Sequence, residues 1–510
     1  MDIVAVSRRN NLGEAVRRAA RLHRDRPALQ FGDRVWRFVD LDTAIDRVAR
    51  RLLDIGLVPG DRVAAYGRNS DAFIVLFLAC ARAGLVHVPV NYALTGGELG
   101  YILEQSGARA VFAAASLEPN LRGVMPPGVA FTGRFEGGDG FDVLATALDP
   151  GMPTEIDVET DENTLAQIVY TSGTTAAPKG AMMTHGAMLS EYYSFIHAMD
   201  YSAEDRALAA LPLYHTAQMH AFTVPQTLVG AFTLLIEAPA PDIVLELIER
   251  HRITSFFAPP TVWISLLRHP DCATRDLSSL KHIYYGASIM PVPVLHELRA
   301  RLPQGGTYNC YGQTEIAPLA TILRPEEHEA RPASAGRAVL NVQTRVVDPA
   351  MNDVPPGTHG EIVHRSPHLM TGYWNKPEET AAAFEGGWFH SGDVGYLDEE
   401  GYLFIVDRIR DVINTGGVLV ASREVEEALF THPAVSEVAV IGAPDPKWIE
   451  AVTAFVVLRD GHETTEEALV AHARTLLAPF KLPKRVVFVD TLPRNTAGKL
   501  LKRELRRQLA

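Results

Sequence analysis

The sequence predicts an α/β protein: a large N-terminal domain of αβ units, a small β-rich subdomain after it, and a small α+β C-terminal domain. Three observations carry this reading. Short apolar segments that look like buried strands alternate with helical patterns over most of the chain. From Gly336 onward the texture turns β-rich, and beyond Asp407 about a hundred residues remain, an ordinary domain size. At 510 residues the chain also exceeds what one hydrophobic core usually organises.

In chain order, Met1 to Ala20 is interrupted by Arg8, Arg9, Arg17 and Arg18, so it lacks the apolar run of a signal peptide. Leu41 to Ile55 has a helical pattern, Ala64–Tyr66 and Ala110–Ala114 read as buried strands, and Pro59-Gly60 and Gly96-Gly97 mark turns. The apolar run Ala72 to Leu85 is shorter than the roughly 18 residues a membrane span needs and is broken by Arg82, so it reads as a buried helix. No integral membrane segment is expected. Leu148 to Asp161 reads as a loop leading into the strand Leu165–Tyr170. After Gly336, Thr344–Val347 and Glu361–Arg365 read as strands separated by Pro355-Pro356-Gly357. Val394–Leu397 and Tyr402–Val406 flank Asp398-Glu399-Glu400-Gly401, a hairpin connection. In the last unit Ser422–Leu429 reads as a helix, Glu437–Ile441 and Ala451–Val457 as strands, and Gly498–Leu509 as a basic terminal helix.

With 47% hydrophobic and 21% charged residues, the composition is that of a globular enzyme rather than a disordered chain. A net charge of -13 counts against nucleic acid as a partner, because phosphate-tracking proteins carry basic stripes. Cys80, Cys272 and Cys310 are too scattered for a disulfide framework or a zinc site, which suits a reducing, cytoplasmic setting. A monomer or a homodimer is expected.

The sharpest local signal is Thr171-Ser172-Gly173-Thr174-Thr175-Ala176-Ala177-Pro178-Lys179-Gly180, directly after the strand Leu165–Tyr170. Backbone N–H groups and four hydroxyls can wrap a polyphosphate, glycine permits close approach, and Lys179 supplies positive charge. The spacing is not that of a Walker A loop, and composition alone leaves a plain linker open.

The whole string resembles the signature of the adenylate-forming superfamily of acyl-CoA synthetases, luciferases and peptide-synthetase adenylation domains. Further segments match in family order: Leu211-Pro212-Leu213-Tyr214-His215, Tyr311-Gly312-Gln313-Thr314-Glu315, Trp388-Phe389-His390-Ser391-Gly392-Asp393, Asp407-Arg408-Ile409-Arg410-Asp411 and Pro493-Arg494-Asn495-Thr496-Ala497-Gly498-Lys499. They span most of the chain. The resemblance implies ATP, Mg²⁺ and coenzyme A as reactants or cofactors, and a domain boundary at residues 1–409 and 410–510, with a C-terminal domain that turns about Arg410 between half-reactions.

By the same resemblance, the Lys499 ammonium bridges the acyl carboxylate and the nucleotide, Glu315 holds Mg²⁺, and Thr314 bonds the α-phosphate. Tyr311 stacks on adenine and Asn309 faces its polar edge, while Gly286, Ala287 and Ser288 line the other side, with Gly312 beside Tyr311. Asp393 accepts from both ribose hydroxyls and Arg408 contacts the ribose. His215 stands beside the acyl carboxylate. Gly416 and Gly417 wall the tunnel for the pantetheine arm, where a side chain would obstruct it.

Two positions depart from the family pattern. Ala176 replaces a glycine, at a cost of about 1–2 kcal/mol if its φ is positive, and Leu419 replaces an asparagine. An enzyme impaired in adenylation, which thioesterifies acyl-adenylate supplied from elsewhere, is therefore an alternative, as is a ligase that loads a carrier protein. Ala217, Met219, Tyr285 and Ala287 are small or mostly apolar, which favours a hydrophobic carboxylic acid, fatty or cyclic, over an amino acid.

Overall fold

The computed structural model describes residues 4, 7–138, 140–156, 158–171, 177–416, 418–495 and 500–509. Its N-terminal part is built on two large sheets. A seven-stranded sheet runs in the order Phe141–Asp142, Phe131–Arg134, Ala108–Ala113, Arg62–Tyr66, Val86–Val90, Leu165–Thr171, Lys179–Thr184. All its pairings are parallel except the last, between Leu165–Thr171 and Lys179–Thr184. A nine-stranded sheet contains the parallel neighbours Ser255–Ala258, His282–Gly286 and Gly306–Tyr311 near one end. Parallel strands need crossovers, and the helices supply them.

The run Ala72 to Leu85 folds as the helix Asp71–Arg82, capped by Ser70, whose hydroxyl accepts from Phe73 N–H, and all twelve of its residues are buried. The arginine that interrupts this run is itself buried. Arg82 meets Asp42 at 2.6 Å and Asp46 at 2.8 Å, which compensates its charge. The expected helix Leu41 to Ile55 is observed as Phe38–Asp54. Gly96-Gly97, expected in a turn, instead opens the helix Gly96–Ser106. All three cysteines are free and buried.

The β-rich subdomain is a four-stranded antiparallel meander, Gln343–Val347, Gly360–Arg365, Phe389–Leu397 and Leu403–Arg408. Its last connection is the acidic hairpin: Asp398 Oδ1 accepts from the N–H groups of Glu400 and Tyr402, and Gly401 takes φ +82°. The C-terminal part has its own sheet, in which Val435–Asp445 and Ile449–Leu458 pair antiparallel and Arg485–Phe488 adds in parallel. It also has its own core around Val425, Leu429, Val440, Val452 and Leu469. The terminal helix spans Lys502–Leu509, and Leu500 forms an antiparallel bridge with Arg494; Gly498 and Lys499 of the expected helix lie outside the described residues. Among the described residues, no helix is long and apolar enough to cross a membrane.

Candidate active site

The strands Leu165–Thr171 and Lys179–Thr184 are antiparallel neighbours, and Thr171 and Lys179 are the last paired residues. The expected phosphate loop therefore joins two paired strands. Ser172, Gly173, Thr174, Thr175 and Ala176 lie outside the described residues.

The Thr171 end meets Glu315. Its carboxylate is almost fully buried, in the short helical turn that follows the strand Gly306–Tyr311. Thr171 Oγ1 donates to Glu315 Oε1 at 3.5 Å, and the Tyr373 hydroxyl donates to the same oxygen at 3.0 Å. Lys179 Nζ stands 4.9 Å from the centre of the Tyr373 ring, within cation–π range. Burial, and next the Glu315 charge, push the Tyr373 phenol up, so it stays a donor. The main chain closes the same junction: Met370 N–H donates to the Glu315 carbonyl at 2.8 Å and Trp374 N–H to the Gly180 carbonyl at 2.8 Å.

Thr314 Oγ1 lies 3.3 Å from Thr216 Oγ1, and Thr216 follows His215 in the chain. His215 Nδ1 accepts from Ala217 N–H at 3.4 Å, at the entrance of a π-helix, Ala217–Thr223. Such helices are rare and cluster at functional sites. This one is pinned from inside: His220 contacts the Tyr192 hydroxyl at 2.6 Å and Gln167 at 2.7 Å, and Gln167 reaches His87 at 3.0 Å. Burial pulls both His87 and His220 down to about 3, so both rings are neutral at pH 7.

A second group forms around Asp393. Asp393 and Arg408 are direct cross-strand partners, with Arg408 Nε 3.0 Å from Asp393 Oδ1. The Tyr311 hydroxyl donates to Asp393 Oδ2 at 2.7 Å, and burial and then the Asp393 charge hold its phenol well above the usual range. Each carboxylate oxygen keeps further acceptor capacity. Asn309, two residues earlier on the Tyr311 strand, donates to the Ser334 carbonyl at 2.8 Å. Gly286 ends the neighbouring strand, where an added Cβ would come within 2.3 Å of the Cys310 carbonyl oxygen. At Gly312 a Cβ would lie 2.1 Å from the Pro318 carbonyl oxygen, so both positions require glycine. Ala287 takes φ +62°, and it and Ser288 are exposed at the strand end.

Residues 311 to 315 thus link two polar groups, one holding Tyr311, Asp393 and Arg408, the other Thr171, Lys179, Thr314 and Glu315, with His215 beside it. Lys499 and Gly417 lie outside the described residues. Gly416 has φ +65°, with its N–H bonded to the Trp448 carbonyl, and Leu419 is 68% exposed. The basic terminal helix is largely neutralised within the C-terminal part. Lys502 lies 2.8 Å from Glu426 and Arg506 2.7 Å from Asp411. Asp407 and Ser422 stand on either side of Arg410 in the chain, and Asp407 Oδ2 accepts from Ser422 N–H at 2.6 Å and from its hydroxyl at 2.7 Å. Arg423 also bonds the Ile405 carbonyl.

Sequence reasoning missed Tyr373 and Thr216. Thr216 adjoins a motif and was within reach. Tyr373 sits in the loop Thr371-Gly372-Tyr373-Trp374, with no periodicity to mark it, and only the fold brings it to Glu315.

A family model described as AMP-binding enzyme matches residues 16–374, and one described as AMP-binding enzyme C-terminal domain matches residues 424–499. The chain is 36% identical to a feruloyl-CoA synthase of Amycolatopsis sp, over 98% of this chain and 99% of that protein. It is 35% identical to the fatty acid–[acyl-carrier-protein] ligase ScoC of Streptomyces coeruleorubidus, over 94% and 93%. The solved structure of ATP-bound MatB from Rhodopseudomonas palustris superposes with a TM-score of 0.90 at 30% identity, covering 98% of this chain and 99% of that one. The chain belongs to the AMP-binding enzyme family and, with it, to the adenylate-forming acid–thiol ligases.

Proposed function

We propose that the protein activates a hydrophobic carboxylic acid with ATP and Mg²⁺, forming acyl-AMP and pyrophosphate, and transfers the acyl group to the thiol of coenzyme A with release of AMP. The observation that supports this most directly is the contact of Thr171 and Tyr373 with Glu315, with Lys179 over the Tyr373 ring, linked through residues 311 to 315 to the Tyr311–Asp393–Arg408 group.

In this reading a carboxylate oxygen of the acid attacks the α-phosphorus and pyrophosphate leaves. Two anions must approach, so the site has to supply preorganised positive charge and donors. Thr314 donates to the α-phosphate, while Lys179 and the hydroxyls of Thr171, Ser172, Thr174 and Thr175 hold the outer phosphates, with Gly173 leaving room. Asp393 takes the ribose hydroxyls with Arg408 alongside, Tyr311 stacks on adenine, Asn309 offers its amide oxygen to the base edge, and Gly286, Ala287, Ser288 and Gly312 shape the slot. Lys499 brings an ammonium to the reacting oxygens. His215 screens the acyl carbonyl, and Gly416 and Gly417 line the approach of the thiol.

The donor set fits Mg²⁺, a hard cation that binds through one or two carboxylates and takes its other ligands from phosphate and water. Glu315 is a single carboxylate with two hydroxyls beside it, and among the described residues no cluster of three or more His, Cys, Asp or Glu could hold an ion alone. Bound there, Mg²⁺ would neutralise the phosphates. We divide the chain at 1–409 and 410–510, with Arg410, whose side chain is exposed, as hinge. The buried thiols fit a cytoplasmic enzyme.

Lys499→Ala tests the reading: pyrophosphate exchange should be lost while thiolation of a supplied acyl-adenylate persists. Loss of both, or of neither, contradicts it. A second reading, in which the acceptor is a carrier-protein phosphopantetheine, is favoured by the 35% identity to ScoC. Parallel thiolation of coenzyme A and of a loaded carrier protein separates the two.

A further inference from the structure

We propose that the acid taken by this site carries a hydroxyl or phenol group remote from its carboxylate, and that the Glu191 side chain receives it. Glu191 lies on the helix His185–Ala198 and is completely buried. Among the described residues, neither of its carboxyl oxygens has a hydrogen-bond partner. Elsewhere the chain satisfies such groups. Asp71, equally buried, accepts from Arg34 at 2.9 Å and from the Trp36 indole at 2.8 Å. A buried carboxyl left unpaired is costly, and sites built for a ligand's polar group are where a partner arrives with the ligand.

Its position points the same way. Glu191 is one helical turn before Phe195, so the two share a face. Phe195 packs in one apolar cluster with Ala221 and Phe222 of the π-helix and with Ile316 and Leu319, which follow Glu315. That cluster therefore runs from the Thr314–Glu315 turn to the helix that carries Glu191. Ala217 and Ala221, four residues apart on the π-helix, keep this wall small. The Tyr192 and Tyr201 hydroxyls nearby are committed, to His220 at 2.6 Å and to the Ala221 carbonyl at 2.8 Å. Burial holds the Glu191 carboxyl well above the usual range, so it is a neutral acid that can both donate and accept. A hydroxyl matches that capacity. An ammonium would instead require Glu191 to ionise in an apolar wall. The acid is thus hydrophobic along its length with one polar end, and the inference rests on the proposed ligase reading, in which Ala217, packed against this cluster, borders the acid.

The test is calorimetric binding, in the presence of AMP, of matched acids: cinnamate against 4-hydroxycinnamate, decanoate against 10-hydroxydecanoate, and 10-aminodecanoate. Wild type, Glu191→Gln and Glu191→Leu are compared, with Glu191→Met as a second apolar variant should the leucine fail to fold. AMP release with coenzyme A is measured in parallel. The wild type should bind the hydroxylated member of one pair about tenfold more tightly. Glu191→Gln should keep that preference and the apolar variants should lose it. Equal binding within both pairs, a preference that survives in the apolar variants, or tighter binding of the amine overturns the proposal. Failure of the ligase reading looks different: no AMP release with any acid, whatever the binding preferences.

Discussion

Tyr373→Phe isolates one hydrogen bond at the centre of the site. The hydroxyl lies 3.0 Å from Glu315 Oε1, and without it that oxygen keeps, among the described residues, the 3.5 Å contact to Thr171. A hydrogen bond to a charged group contributes about 1.5–3 kcal/mol. At about 1.4 kcal/mol per decade, kcat/KM for ATP in pyrophosphate exchange should fall about 10- to 150-fold, with a higher Mg²⁺ concentration needed for half-maximal rate. The phenyl ring remains, so Lys179 keeps its seat 4.9 Å from the ring centre. Tyr373→Leu removes that too and should add about two- to fivefold, from a cation–π contact of about 0.5–1 kcal/mol, chiefly as a higher KM for ATP. Thiolation of supplied acyl-adenylate should be unaffected by the phenylalanine. Exchange within twofold of wild type, or equal losses in the two half-reactions, would refute the role given to Tyr373.

Arg408→Ala removes the guanidinium 3.0 Å from Asp393 and should raise KM for ATP about tenfold with a smaller change in kcat, read by initial rates at saturating acid. Stability should fall on acidification. His87 and His220 are held near 3, and His185, His328, His364 and His368 near 4, in each case chiefly by burial. Their unfolded value is about 6.5, so below it the unfolded chain binds more protons than the folded one. Their contribution is complete above about pH 6.5 and is lost as pH drops toward 4 and then 3. Glu191, raised by burial, acts in the opposite sense. Thermal unfolding between pH 7.5 and 4.5 should show a falling midpoint, and His220→Gln should flatten the slope; a midpoint that rises on acidification contradicts the assignment.

Where local pattern decides the fold, the sequence was legible. The β-meander, the acidic hairpin and the buried helix Asp71–Arg82 follow from periodicity and turn chemistry that tertiary contacts reinforce. The cross-strand pairing of Asp393 with Arg408 gives a geometric reason for two residues that motif resemblance had only named. Reading failed where long-range contacts decide. Gly96-Gly97 looks like a turn but starts a helix, and Leu500, expected in the last helix, instead bridges Arg494. Tyr373 reaches Glu315 across 58 residues, and Glu191 stands out by the partners it lacks among the described residues, which no sequence pattern records.

The Asp407–Ser422 contact bears on how the enzyme would cycle. Its two residues flank Arg410, so a C-terminal domain that turns there has to let go of both Ser422 bonds and of the Arg423 link to Ile405. A carboxylate that touches no reactant would then act as a catch, and the grip it keeps on one serine would help decide how long each pose lasts.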